Sequence, residues 1–235
     1  MFDSILVPLD GSQLAECVLP HVIITGQVFD AKIVLLQVLD KNRADASTQF
    51  VDLLNWQINK AEAKLYLEKV RDQLQSSGVR AGANVLEGLT AEEITEFAQS
   101  QGMKLVILSS HGHNGLKKWA ISSITYKVIF SAPTSVLIIR APQLKEKPYR
   151  RILVPLDGSL RAENVLPTVA PLARFCKSQV QIVHVVKTPE MARHLPSMPE
   201  DIELSNRIVV RSQEEALHYL DQVKNHSPLT GTDVK

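Results

Sequence analysis

The sequence predicts an α/β protein duplicated in tandem: a five-stranded parallel sheet with helices on both faces, followed by a second, truncated copy of the same unit. Three observations carry this reading. The octet ILVPLDGS occurs at Ile5–Ser12 and again, letter for letter, at Ile152–Ser159, an offset of 147 from Ile5 to Ile152. The same offset lays Ala15 and Glu16 on Ala162 and Glu163, Leu19 and Pro20 on Leu166 and Pro167, and Ile33–Val38 on Val180–Val185. Self-similarity sustained at one offset marks a repeat. Within the first copy, short runs bounded by turn residues alternate with segments of helical period. Those short runs are near-continuously apolar rather than alternating, as strands buried on both faces of a parallel sheet must be.

Each element follows from its local chemistry. Ile5–Asp10 is a strand that leaves into an Asp-Gly-Ser turn. Ser12 or Asp10 then caps a helix over residues 13–26, with Leu14, Val18 and Val22 on one face. Pro20 falls inside it, where it either kinks the helix or marks a late first turn; Pro167 repeats the feature. Ala31–Leu39 is the second strand and 41–52 a polar loop. A long helix carries Ala63, Leu67, Val70 and Leu74 on one face and ends near Gly78. Ala81–Leu86 is the third strand. Thr90 and Glu93 form a capping box for a helix bearing Ile94, Phe97 and Ala98, closed by Gly102. Lys104–Ser109 is the fourth strand. Ser122 or Ser123 opens a helix with Ile124, Val128 and Ile129, Pro133 stops it, and Ser135–Arg140 is the fifth strand.

The second copy is shorter. Tyr66–Arg71 resembles Tyr219–Lys224, Gly78 falls on Gly231 and Gly82 on Lys235, so the equivalents of Ala83–Arg140 are expected to be missing from it. The domains read as 1–140, a proline-containing polar linker at 141–148, and 149–235.

Composition narrows the function. The chain has 235 residues, 45% hydrophobic and 22% charged, with a formal charge of +1. That balance argues against disorder and removes the electrostatic case for a dedicated binder of nucleic acid or anionic membrane. No apolar run approaches the roughly 18–20 residues of a membrane span, and the N-terminus lacks the basic region of a signal peptide. Cys17 and Cys176 make neither a disulfide framework nor a zinc motif, so a reducing cytoplasm is the expected compartment. Cys17 reads as a buried structural thiol. His21, His184, His194, His218 and His226 are scattered without metal-ligand spacing, and no metal site is expected in the chain itself.

In a parallel sheet the ligand lies outside the carboxyl ends of the strands, where strand order reverses. The segments that follow strands are Asp10–Ser12, Val38–Lys41 and Ser109–Gly115. The last, SSHGHNG, places Gly112 and Gly115 ahead of a helix that starts at Ser122. Glycines let backbone N–H groups approach an anion, and the free N–H groups and dipole of a helix start add a positive field. Lys117 and Lys118 lie between and would screen phosphate charge. No Walker A or GxGxxG sequence is present. The plainer reading, turn glycines beside a solvated lysine face, stays open on the local pattern. No GxSxG elbow supports a Ser–His–Asp hydrolase built on His111 or His113.

Together the ILVPLDGS strand-turn, the length of each copy, the tandem arrangement and the segment SSHGHNGLKKWAISSITYKVIFSAPTSVLII resemble the universal stress protein family, over nearly all of 1–140 and the front of 149–235. The resemblance implies a Rossmann-like, adenine-nucleotide α-hydrolase-like sheet and a regulatory protein of the stress response that binds ATP or another adenine nucleotide, accompanied by Mg²⁺. It places Pro8, Asp10 and Val38 at the adenosine end, and Leu108, Ser109, His111, Gly112, Gly115, Ser122, Ser123 and Ile124 around ribose and phosphates. The family's phosphate motif, G-2x-G-9x-G-[S/T], falls on Ser109, Gly112, Ser122 and Ser123, so one of three glycines is kept. If position 122 needs a positive φ, or phosphate within backbone contact, its Cβ costs about 1–2 kcal/mol, about one decade in affinity. The resemblance also implies a homodimer through the edge strand Val136–Ile139. It carries no catalytic residue and at most slow hydrolysis, with phosphates near His111. The alternative is a scaffold that binds no nucleotide and acts through dimerisation and protein contacts.

Overall fold

The computed structural model describes residues 1–40, 49–110, 121–140, 148–187, 199–226 and 228–235, in two compact units, Met1–Glu146 and Lys147–Lys235. In unit 1 the elements run β1 (Ser4–Pro8), α1 (Gln13–Glu16), α2 (Leu19–Val28), β2 (Lys32–Leu39), α3 (Gln49–Ser76), β3 (Ala81–Glu87), α4 (Thr90–Ser100), β4 (Leu105–Ser109), α5 (Ser123–Ser131) and β5 (Ser135–Ile139). The strands form one sheet in the order β3-β2-β1-β4-β5, every pair parallel. Ile5, Val7, Ile33 and Leu35 pack on one face under Val22 of α2 and Leu67, Val70 and Leu74 of α3. Leu6, Val34 and Leu36 pack on the other under Ala91, Ile94 and Ala98 of α4 and Val128 of α5. Neighbouring strand residues thus bury on opposite sides, which is why the runs read as continuously apolar.

The octet earns its repetition at the turn. Gly11 adopts φ +80° and Gly158 φ +85°, a region that favours glycine. Ser12 caps α1, its Oγ accepting the Ala15 N–H at 3.1 Å, while Asp10 Oδ1 accepts from Ser12 N–H and Oγ at 3.0 and 2.6 Å. Asp157, Ser159 and Ala162 repeat this in unit 2, and the Ser159 hydroxyl and N–H hold Asp157 below the usual carboxylate range.

Several expectations need correction. The first helix is not continuous over 13–26. It breaks after Glu16, and Pro20 sits in the first turn of α2, where its missing N–H costs nothing. Leu14 is consequently exposed, as is Ile124 on α5, whereas Thr125 is buried. Thr90 does not cap α4: the cap position is Leu89, without a side-chain bond, and the Glu93 carboxylate folds against Gly88 instead. Cys17 is half-buried, and that burial pushes its thiol up.

Unit 2 contains β6 (Arg151–Pro155), α6 (Leu160–Glu163), α7 (Leu166–Cys176), β7 (Gln179–Val183), α8 (Pro199–His226) and β8 (Asp233–Val234), its sheet ordered β6-β7-β8. Val154, Leu156, Val180 and Ile182 pack with Ala170 and Ala173 of α7 and Val223 of α8, the equivalent of unit 1's α2/α3 face. The opposite face differs. Leu6 is 0% exposed in unit 1, whereas its repeat equivalent Leu153 is 62% exposed. Among the described residues no helix is both long and apolar enough to cross a membrane.

The repeat therefore supplies its own control. Leu6→Ala should destabilise unit 1 by about 2–5 kcal/mol, the range for a buried leucine. Leu153→Ala should change unit 2 by less than about 0.5 kcal/mol. Denaturation followed by amide signals assigned to each unit measures both; equal losses would contradict the packing described.

Candidate functional site at the strand-order reversal

Strand order reverses between β1 and β4. β1 pairs with β2 over five residues, Ser4–Pro8, and β4 pairs with β5 over five, Leu105–Ser109. Between β1 and β4 only Ile5↔Leu105 and Leu6↔Val106 are in register. Beyond them the carboxyl halves of the two strands no longer pair with each other, opening the crevice that such sheets use for ligands.

On the β1 side, Pro8 closes the strand half-buried and has no N–H to give, so the next ladder bond is Leu9 N–H to the Leu36 carbonyl at 2.8 Å. Asp10 follows, exposed and fixed by the turn bonds above. Val38 lies near the end of β2, half-buried against the Leu6–Leu36 cluster. On the β4 side, Leu108 is buried and Ser109 and Ser110 are nearly or wholly so. Ser110 N–H donates to the Ile139 carbonyl at 2.8 Å, and the Ser110 carbonyl accepts the Ser122 N–H at 2.9 Å. That bond seats the start of α5 beside the end of β4.

Ser122 is the N-cap of α5, its Oγ accepting the Thr125 N–H at 3.1 Å. Its φ is −63° and its ψ 151°, ordinary extended backbone. The serine Cβ therefore causes no backbone strain there, and the conformational part of the expected penalty for the lost glycine does not arise. Ser123 and Ile124 occupy the first two helical positions, both exposed, and their N–H groups have no acceptor among the described residues. Of the expected site residues, Pro8, Asp10, Val38, Leu108, Ser109, Ser122, Ser123 and Ile124 thus lie at carboxyl strand ends or at the start of α5. His111, Gly112 and Gly115, with Lys117, Lys118 and Trp119, lie outside the described residues.

Sequence reasoning missed a tyrosine behind the Asp10 turn, Tyr66, whose buried hydroxyl has no hydrogen-bond partner among the described residues. Tyr66 of α3 lies close to Glu16 of α1, and burial together with the Glu16 and Asp10 carboxylates pushes its phenol well up. Unit 2 repeats the pair as a hydrogen bond, Tyr219 Oη to Glu163 Oε1 at 3.0 Å. There burial and the Glu163 and Asp157 carboxylates raise the phenol to about 12. The matching of Tyr66 with Tyr219 across the repeat was the available signal. A shallow depression of about 490 Å³ lies at the opposite, amino end of β2 and β3, lined by Lys32, Gln75, Gly78, Arg80 and Gly82 among others. Among the described residues no group of three or more His, Cys, Asp or Glu side chains could hold a metal ion.

The sequence profile of the universal stress protein family matches residues 1–140 and 148–227. The chain belongs to the universal stress protein family. Universal stress protein MJ0531 of Methanocaldococcus jannaschii is 28% identical over 148 residues, 61% of this chain and 85% of that protein. Universal stress protein MJ0577 of the same organism is 28% identical over 155 residues, 60% of this chain and 96% of that protein. The solved structure of MJ0577 superposes with a TM-score of 0.57 at 27% identity, covering 61% of this chain and 99% of that one. A universal stress protein from Archaeoglobus fulgidus covers 100% of this chain and 77% of its own length, with a TM-score of 0.64 at 19% identity. That last likeness extends the shared fold through both units. The two profile matches and the repeated octet describe one event, a tandem duplication of the universal stress protein unit.

The cap generates a prediction. Ser122→Ala should destabilise unit 1 by about 1 kcal/mol and Ser122→Gly by a few tenths, as at other N-caps. Because no positive φ is relieved, glycine at this position should not tighten any ligand. Thermal denaturation and a binding titration of both variants check this; a tenfold gain for Ser122→Gly would show that the backbone there is strained.

Proposed function

We propose that unit 1 is an adenine-nucleotide sensor that holds ATP across the crevice between β1 and β4 as a regulatory ligand. The observation that supports this most is the start of α5: the N–H groups of Ser123 and Ile124, exposed residues without a backbone acceptor among the described residues, at a helix terminus seated beside the end of β4. A helix start of this kind favours an anion through its unpaired donors and its dipole. Pro8, Asp10 and Val38 line the other side and would meet the adenosine end. His111, Gly112 and Gly115 belong to the same proposal as the segment joining β4 to α5, their glycines allowing close backbone approach to phosphate. The described residues offer no carboxylate cluster for a divalent ion, and Mg²⁺ would be carried by phosphate oxygens and water, its usual manner with nucleotides. Unit 2 repeats the adenosine-side residues as Pro155, Asp157 and Val185; the proposal concerns unit 1.

Calorimetry with ATP and Mg²⁺, with mass measurement of any nucleotide released from the purified protein, tests the reading. Saturable heat at one site per chain, lost with Asp10→Ala, is expected. No heat at saturating ATP, with no nucleotide released, would reject it and leave the scaffold reading.

A specific observation favours a role for protein contacts as well. β5 is an edge strand, paired only with β4 in the described sheet, and its Val136, Leu137 and Ile138 are only half-buried. Apolar edges of this kind invite a second chain. The proposed assembly is a homodimer through Val136–Ile139, a purely cytoplasmic regulator by expectation. Sedimentation should give a dimer that Ile138→Lys dissociates; a monomer at all concentrations would contradict it.

A further inference from the structure

We infer that Thr125 is a positioning residue for the phosphate end of the unit 1 site: its hydroxyl locks the first turn of α5 onto the end of β4 and so fixes where the Ser123 and Ile124 N–H groups point. The inference rests on the nucleotide reading above.

Thr125 stands one turn into α5 and is 2% exposed. A ligand in the crevice does not reach it. Its Oγ1 donates to the Ser109 carbonyl, the last of β4, at 3.0 Å. Each hydroxyl has one proton to give. With the Thr125 proton committed to that carbonyl, the 2.8 Å contact between the two hydroxyls must be donation from Ser122 Oγ to Thr125 Oγ1. Ser122 Oγ in turn accepts the Thr125 N–H at 3.1 Å. The chain therefore runs from Ser122 through Thr125 to the strand, each bond polarising the next. Its consequence for binding is direct. The Ser122 hydroxyl proton is used internally, so the donors left at the helix start are the main-chain groups of Ser123 and Ile124 and the exposed Ser123 hydroxyl.

Two anchors hold the helix start. Ser122 N–H is tied to the Ser110 carbonyl at 2.9 Å and Thr125 Oγ1 to the Ser109 carbonyl. They sit three residues apart on the helix, close to a full turn. With Val128 seated in the core, the two anchors add a fixed register between the helix start and the end of β4. Ser110 is itself held, its N–H bonded to the Ile139 carbonyl of β5. The donors are thus aimed before a ligand arrives, and pre-organisation of this kind lowers the cost of binding.

Thr125→Val keeps the shape of the side chain and removes the hydroxyl; Thr125→Ser keeps the hydroxyl. Affinities of both variants and the unaltered protein for ATP, ADP and adenosine, by calorimetry, test the role. Thr125→Val should weaken ATP by about tenfold, the scale of one buried hydrogen bond, with a smaller loss for ADP and the least for adenosine. Thr125→Ser should retain the ATP affinity of the unaltered protein. Equal ATP affinity in Thr125→Val, an equal loss for ATP and adenosine, or failure of serine to rescue would each overturn it. An unaltered protein that binds none of the three ligands defeats the nucleotide reading itself, and this role with it.

Discussion

Two residues of pairing between β1 and β4, and no more, decide the architecture of this protein. A parallel sheet needs crossover connections that cover both faces, and a sheet that grows outward from β1 in both directions must reverse its order there. At that reversal the carboxyl halves of β1 and β4 stop pairing after Leu6 and Val106. The backbone beyond them needs other partners. On the β1 side the Leu9 N–H turns to the Leu36 carbonyl of β2. On the β4 side Ser110 turns to β5 and to the start of α5. The crevice and the groups that line it follow from one interruption of the ladder.

The duplication shows which features depend on that interruption and which do not. The octet turn, the Glu–Tyr pair behind it and the proline in the first turn of the following helix recur in unit 2, where β6 has no described strand on that side. They belong to the strand-turn-helix unit and would persist without a ligand. The seat of α5 on β4 has no described counterpart in unit 2. Asp10 therefore has two duties in this account, as a turn residue in the fold and as a site residue in the proposal, while Asp157 has only the first.

Much of this could be read from the residues. The repeat, the order of strands and helices, the core face of α3 and the end of β4 as the place to look all follow from spacing and apolarity. Leu14, Val18 and Val22 fit a single helix as well as two, so only Pro20 signalled the break after Glu16, as the late first turn it does mark; the packing of Val18 and Val22 against the sheet, with Leu14 in solvent, decides it. Thr90 and Glu93 have the spacing of a capping box, but Gly88 ahead of them leaves room for the Glu93 side chain to fold back over it. The family motif has glycine at position 122, where a serine would cost affinity only if the backbone needed a positive φ or close phosphate contact. Position along a motif does not fix φ, and here a serine in extended conformation caps the helix that a glycine would leave uncapped. Thr125 gave no signal at all, since its importance lies in a carbonyl sixteen positions earlier in the chain.

The most direct test follows the two N–H groups at the start of α5. In amide-resolved NMR of the whole chain, titration with ATP and Mg²⁺ should shift the Ser123 and Ile124 signals together with those of the Asp10 turn, saturating at one equivalent. Signals at those positions that stay fixed while the Lys32–Arg80 depression at the other end of the sheet responds would contradict the account.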